Sequence, residues 1–134
     1  MALAFNLVDA WDDGQRIHVA GTVTASGNYS AGGDTLDLSQ FPIVAAAQSS
    51  IQGTAWMDGP AGYDCVFYPG TAMNNGKVKI FQQGSDAAAL LELAAGAYPG
   101  AIVSESITFY GIFRKAAIAA QKTAAHSRQI FPNL

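Results

Sequence analysis

The residues best equipped for chemistry in this chain are few, and their spacing does not assemble a catalytic group. There are two histidines, His18 and His126, and one cysteine, Cys65. A Cys65–His18 pair would need an exposed, activated thiolate. Cys65 lies in the apolar run YDCVFYP, which predicts a buried structural thiol instead. A lone cysteine also supplies neither an internal disulfide framework nor a cysteine metal site. The carboxylates form two clusters, Asp12-Asp13 and Asp34-x-x-Asp37, both beside turn sequence where aspartate commonly bonds backbone. Neither cluster has the ligand spacing of a calcium loop. Glu92 and Glu105 are the only glutamates, a thin supply for a paired-acid glycosidase. No G-x-S-x-G elbow offers a nucleophile, and the SAGGD glycines lack the lysine and helix of a phosphate loop. These residue types argue against an enzyme, and they imply no cofactor and no metal.

The larger side chains read as structural or as surface. His18 sits on the polar side of an alternating run, between Arg16 and Ala20, which predicts a solvated imidazole. The aromatics Trp11, Tyr29, Trp56, Tyr63, Tyr68, Tyr98 and Tyr110 are distributed along the chain rather than grouped. Several belong in a core, where large rings dominate packing. Trp56, or Tyr29 on an exposed loop, is the candidate for contact with a carbohydrate.

Period-two patterning defines the elements that must position these residues. Leu3, Phe5 and Leu7 alternate with small or polar residues up to Asp12-Asp13-Gly14, a hairpin turn. In RIHVAGTVTAS, Ile17, Val19 and Val23 share one face, opposite Arg16, His18, Thr22 and Thr24. SGNYSAGG reads as a loop, and DTLDLS resumes the alternation with Leu36 and Leu38 inward. IVAAAQSSIQGTAWMD predicts two weak strands, and YDCVFYP a strand buried on both faces. Asn74-Asn75-Gly76 signals a type I′ hairpin ahead of KVKIFQQ. DAAALLELAAGAYPG is ambiguous and reads as strand, because Gly96 and Pro99 cut short any helix. AIVSESITFYGIF is the last strand. About eight strands at this spacing, with no helix-length segments between them, predict an all-β protein. An antiparallel β-sandwich of jelly-roll-like topology, carrying a C-terminal arm, is the expected architecture.

Composition adds a charge split. Residues 1–113 hold Arg16, Lys77 and Lys79 against all ten acids, formally −7. Residues 114–134 hold Arg114, Lys115, Lys122 and Arg128 and no acid. The expected organisation is a β-sandwich domain over 1–113 and a basic arm over 114–134. Charged residues make up 13 % of the chain, about half the usual share, which points to surface covered by copies or partners. Four spread cations are too few for strong phosphate binding, so no nucleic-acid partner is expected. The N-terminus lacks the basic region of a signal peptide and no run is long enough for a membrane helix, so cytoplasmic synthesis is expected. Ile130 and Phe131, near the end of the basic segment, have the character of apolar anchors.

Two stretches carry a family resemblance. RIHVAGTVTASGNYSAGGDTLDLS and ELAAGAYPGAIVSESITFYGIFRK, about a third of the chain together, resemble small virion structural proteins of tailed bacteriophages. Size and patterning are most similar to capsid decoration (cement) proteins. That resemblance implies a jelly-roll-like domain, often a homotrimer, on the capsid exterior, where it clamps adjacent major capsid proteins. Arg114, Lys115, Lys122 and Arg128 would then face acidic capsid surface, while Ile130 and Phe131 insert into it. A carbohydrate-binding module of a fibre, or a tail or connector subunit, is the alternative.

Overall fold

Asp13 closes the first hairpin through its side chain. In the computed structural model, which describes residues 2–47, 53–83 and 89–115, its Oδ1 accepts the N–H groups of Gln15 at 2.9 Å and Arg16 at 2.7 Å. Asp12 Oδ1 accepts from Gly14 at 2.7 Å, and Gly14 takes φ +96°, which glycine adopts without a Cβ penalty. The first acidic cluster is thus a turn-forming device, as its sequence setting implied. It joins β1 (Leu3–Asp12) to β2 (Arg16–Ala25).

The described chain is all-β and antiparallel. Further strands are β3 (Asn28–Tyr29), β4 (Asp34–Leu36), β5 (Thr54–Asp58), β6 (Tyr63–Tyr68), β7 (Gly76–Gln83), β8 (Leu90–Glu92), β9 (Gly96–Ala97) and β10 (Ile107–Arg114). One sheet has the order β1-β2-β10-β5, a second has β4-β7-β6 with β8 also on β7, and β3 pairs with β9. The two larger sheets bury their inner faces in a common core, giving a β-sandwich. Ile17, Val19, Val23, Ile107, Phe109 and Phe113 come from the first sheet, and Leu36, Cys65, Phe67, Val78 and Ile80 from the second. Phe67 bridges the layers, edge-on to Phe109 at 5.7 Å and to Phe113 at 6.4 Å. Such edge-to-face contacts suit the ring quadrupoles and add to area burial.

Several local expectations are corrected. Pro42–Ala45 forms a one-turn helix, α1, with proline in its first turn where no amide hydrogen is needed. A second turn of helix, α2 (Gly100–Ser104), follows Pro99 and is pinned by buried Ile102, so the last strand begins only at Ile107. YDCVFYP is buried on one face alone: Cys65 and Phe67 point inward, while Asp64 and Tyr68 are exposed. Lys79 lies over the Tyr68 ring at 4.6 Å on that outer face.

The expected two-residue hairpin at Asn74-Asn75-Gly76 does not form, and the turn falls one residue earlier, at Met73-Asn74. The link runs from Pro69 to Asn75, organised by Asn75, whose Oδ1 accepts from Ala72 N at 2.9 Å and whose Nδ2 donates to Thr71 at 2.8 Å. Gly76 belongs to β7, and a Cβ there would meet the Phe67 ring at 2.5 Å. The glycine makes room for an aromatic ring instead of adopting a left-handed turn. SGNYSAGG likewise contains a strand, β3, because Tyr29 is drawn into the core. Its hydroxyl donates to Glu92 Oε1 at 2.8 Å and accepts Ile80 N–H at 3.3 Å, and Glu92 also accepts Gly32 N–H at 2.6 Å. Burial and the Glu92 bond raise the Tyr29 phenol to about 12. Tyr98 OH donates to Asp34 in the same way, so part of the second acidic cluster also serves structure.

Candidate functional site

The outer face of the first sheet groups aromatics that the chain separates by up to a hundred residues. Trp11 on β1 stacks on His18 of β2, with centroids 4.9 Å apart and planes within 6°. Trp56 on β5 stacks on Tyr110 of β10 at 5.7 Å and 28°. The pairs meet in the middle of the sheet, where the His18 and Tyr110 rings lie 6.4 Å apart. The result is a ring row across all four strands. Its two ends, Trp11 on one edge strand and Trp56 on the other, are 40 % and 55 % exposed.

Hydrogen bonds fix the centre of the row. His18 Nε2 lies 2.7 Å from Asp13 Oδ2, and Nδ1 lies 3.0 Å from the Tyr110 hydroxyl. With neutral His18, Nε2–H donates to the carboxylate and Nδ1 accepts the phenol proton. The His18 contact, followed by the two turn N–H bonds, holds the Asp13 carboxyl well below its ordinary range. His18 is therefore a clamped, half-buried ring, which corrects the expectation of a solvated imidazole.

A β-bulge explains Trp11. Leu3, Phe5 and Leu7 face inward, so strict alternation would send Trp11 into the core as well. Pairing shifts between Leu7 (opposite Gly21) and Asp9 (opposite Ala20), which leaves Val8 unpaired and 74 % exposed. From there Ala10 packs inward while Asp9 and Trp11 turn outward. One extra residue inverts the faces of the rest of the strand.

The expected binding residues divide into two groups. Arg114 ends β10 opposite Arg16 and makes no ion pair with a described residue. Lys115 continues the body: its N–H donates to Gln15 O at 3.2 Å, it bridges to Ala47, and its Nζ pairs with Asp12 at 2.5 Å. That bond, ahead of the Gly14 N–H, lowers the Asp12 carboxyl. Lys122, Arg128, Ile130 and Phe131 lie outside the described residues, as does most of the proposed arm. Trp56 is exposed, but on a strand, while Tyr29 is buried and cannot serve as a surface stacking residue.

Cys65 and His18 do not meet, since Cys65 is on the inner face of the second sheet and His18 on the outer face of the first. Burial pushes the Cys65 thiol up to about 11, the opposite of activation. Among the described residues no cluster of three or more His, Cys, Asp or Glu could hold a metal ion. No described helix is long and apolar enough to cross a membrane. No family model matches this chain, and no curated protein or solved structure is detectably similar to it.

Proposed function

We propose that this chain is a non-enzymatic structural protein of a tailed-phage virion, bound to the outer capsid surface as a decoration protein. The observation that carries the reading is the corner at which the basic segment leaves an acidic body. β10 delivers Arg114 and Lys115 beside the β1–β2 turn, and Lys115 is fastened there by Asp12 and Gln15. Nineteen residues carrying Lys122 and Arg128 follow from that fixed point. Exposed apolar side chains away from the ring row, Leu90, Leu91 and Val103, add surface that a neighbouring subunit would cover. In this reading the body has a jelly-roll-like topology and forms a homotrimer. Many modest contacts with the major capsid protein then stabilise the shell through avidity.

Co-sedimentation with phage heads tests the proposal. The full chain is expected to saturate capsids, and residues 1–115 to stay folded in solution without binding. Full binding by the truncated chain would rule out the arm, and no binding by the full chain would rule out decoration altogether.

A further inference from the structure

The ring row is flanked by a second row of a different character. On the outer face, Trp56 pairs with Tyr110, and Tyr110 with Ala20. One step along, Asp58 pairs with Thr108, Thr108 with Thr22, and Thr22 with Asn6. A carboxylate, two hydroxyls and an amide therefore cross the sheet in line, next to a line of rings. Ala20, between them, contributes a single methyl and leaves the middle of the face low. Asp9, opposite Ala20, adds a second carboxylate at the far edge.

These groups select a ligand class. Indole and phenol rings offer apolar surface to a partner that is itself amphipathic, and among the described residues no further strand lies beyond the edges that carry Trp11 and Trp56. The neighbouring row offers acceptors from Asp58 and mixed donors and acceptors from Thr22, Thr108 and Asn6. It carries carboxylate but no cation, so a polyanion is disfavoured along it. Arg16 and Arg114 lie together at the opposite, turn end of the sheet. An uncharged polyhydroxylated chain satisfies both rows at once, with C–H faces on the rings and hydroxyls on the polar side chains.

We propose that the outer face of the β1-β2-β10-β5 sheet is a binding surface for a neutral polysaccharide, laid across the strands with one sugar stacked on Trp56 and its hydroxyls bonded to Asp58 and Thr108. Trp11, turned outward by the Val8 bulge, provides a second stacking position at the other edge. The surface is about three interstrand spacings wide, ~14 Å, which suits a short stretch of an extended chain. This site is independent of capsid binding, because its residues lie within the body while the capsid reading depends on the segment after Lys115.

Affinity electrophoresis of the full chain tests the site, using gels that contain hydroxyethylcellulose, galactomannan or dextran, with alginate as the anionic control. Retardation by at least one neutral polymer and none by alginate is expected. Trp56→Ala should weaken retention about tenfold or more. Trp56→Phe should retain part of it, and Asp58→Asn should weaken it while leaving the unfolding midpoint of the protein nearly unchanged. The proposal is overturned by no retardation in any neutral gel, by retardation in alginate alone, or by equal retardation of the Trp56→Ala variant. It is also overturned if the wild-type chain self-associates through this face, seen as a solution mass that falls to the monomer on Trp56→Ala. Capsid co-sedimentation of the Trp56→Ala variant should remain normal, which separates the failure of this site from failure of the decoration reading.

Discussion

His18 and Tyr110, 92 residues apart in the chain, are joined by a 3.0 Å hydrogen bond between Nδ1 and the phenol oxygen. They are diagonal neighbours on adjacent strands, since His18 faces Ile112 and Tyr110 faces Ala20 in the ladder. Diagonal pairs of this kind are within reach only of long or aromatic side chains. The bond ties the Trp11–His18 stack to the Trp56–Tyr110 stack, so the row behaves as one unit. Asp13, held by the turn, fixes the other side of the imidazole.

Tyr110→Phe should therefore loosen the row without emptying it. The ring stack on Trp56 persists, but Nδ1 of a half-buried His18 loses its partner. A loss of about 0.5–1.5 kcal/mol is expected, read as a lower urea midpoint with an unchanged slope. An unchanged midpoint would mean that the bond contributes nothing.

Gly21 supports the opposite face of the same strand. A Cβ there would meet the carbonyl oxygen of Asn6 and the Phe5 ring, whose Cζ would be 2.7 Å away. Phe5 cannot swing clear, because it packs edge-on against Phe109 at 5.3 Å and Phe41 at 6.1 Å. Gly21→Ala should cost about 1–3 kcal/mol through overpacking. Gly27→Ala would meet nothing nearby but carries φ +71°, so its cost comes from backbone strain alone. Thermal denaturation of the two variants compares these mechanisms, and a neutral Gly21→Ala would contradict the packing described.

Much of the sandwich was legible because half-buried strands alternate. Ile17, Val19 and Val23, then Val78 and Ile80, then Ile107 and Phe109, all face inward as their period of two predicts. Cys65 was legible from its apolar neighbours. The ring row was not, for two physical reasons. The Val8 bulge inverts the parity that would have placed Trp11 inside, and nothing in LAFNLVDAWD marks which residue is extra. Trp56 and Tyr110 meet only because β5 pairs with β10, a contact between segments that no local pattern connects. Tyr29 was misread because its glycine-rich setting resembles a loop, whereas the bond to Glu92 pulls it inside.

Acid should weaken the fold through Glu92. Its carboxylate is held below the ordinary 4.5, first by the Tyr29 hydroxyl and then by Gly32 N–H. A depressed native value means that the unfolded chain takes up the proton first. This stabilisation is complete above about pH 4.5, and it is lost as pH falls from there through the native value. Asp12 and Asp13 act in the same direction from their ordinary 3.8. Urea midpoints between pH 7 and pH 3 should decline below about pH 4.5. Glu92→Gln should be less stable at pH 7 but show a shallower acid decline. A variant whose acid decline parallels that of the wild type would remove Glu92 from this role.

Deleting Val8 should be tolerated, contrary to the usual cost of shortening a long strand. Leu7 opposes Gly21 and Asp9 opposes Ala20, so removing the unpaired residue between them leaves a regular ladder. Leu7 and Ala10 stay inward, and Asp9 and Trp11 stay outward. The side chain removed is 74 % exposed and is not part of the core. Lost with it is the local kink and added twist that a bulge imparts. The deletion variant should unfold cooperatively, with tryptophan emission close to that of the parent. Deleting Leu7 instead keeps the ladder length but puts Val8 at the inward position opposite Gly21. Val8 is smaller than Leu7, so this variant should be the less stable of the two. If the Val8 deletion were instead the more damaging, the bulge would be required for the sheet's curvature, and Trp11 would owe its position to that curvature as well as to parity.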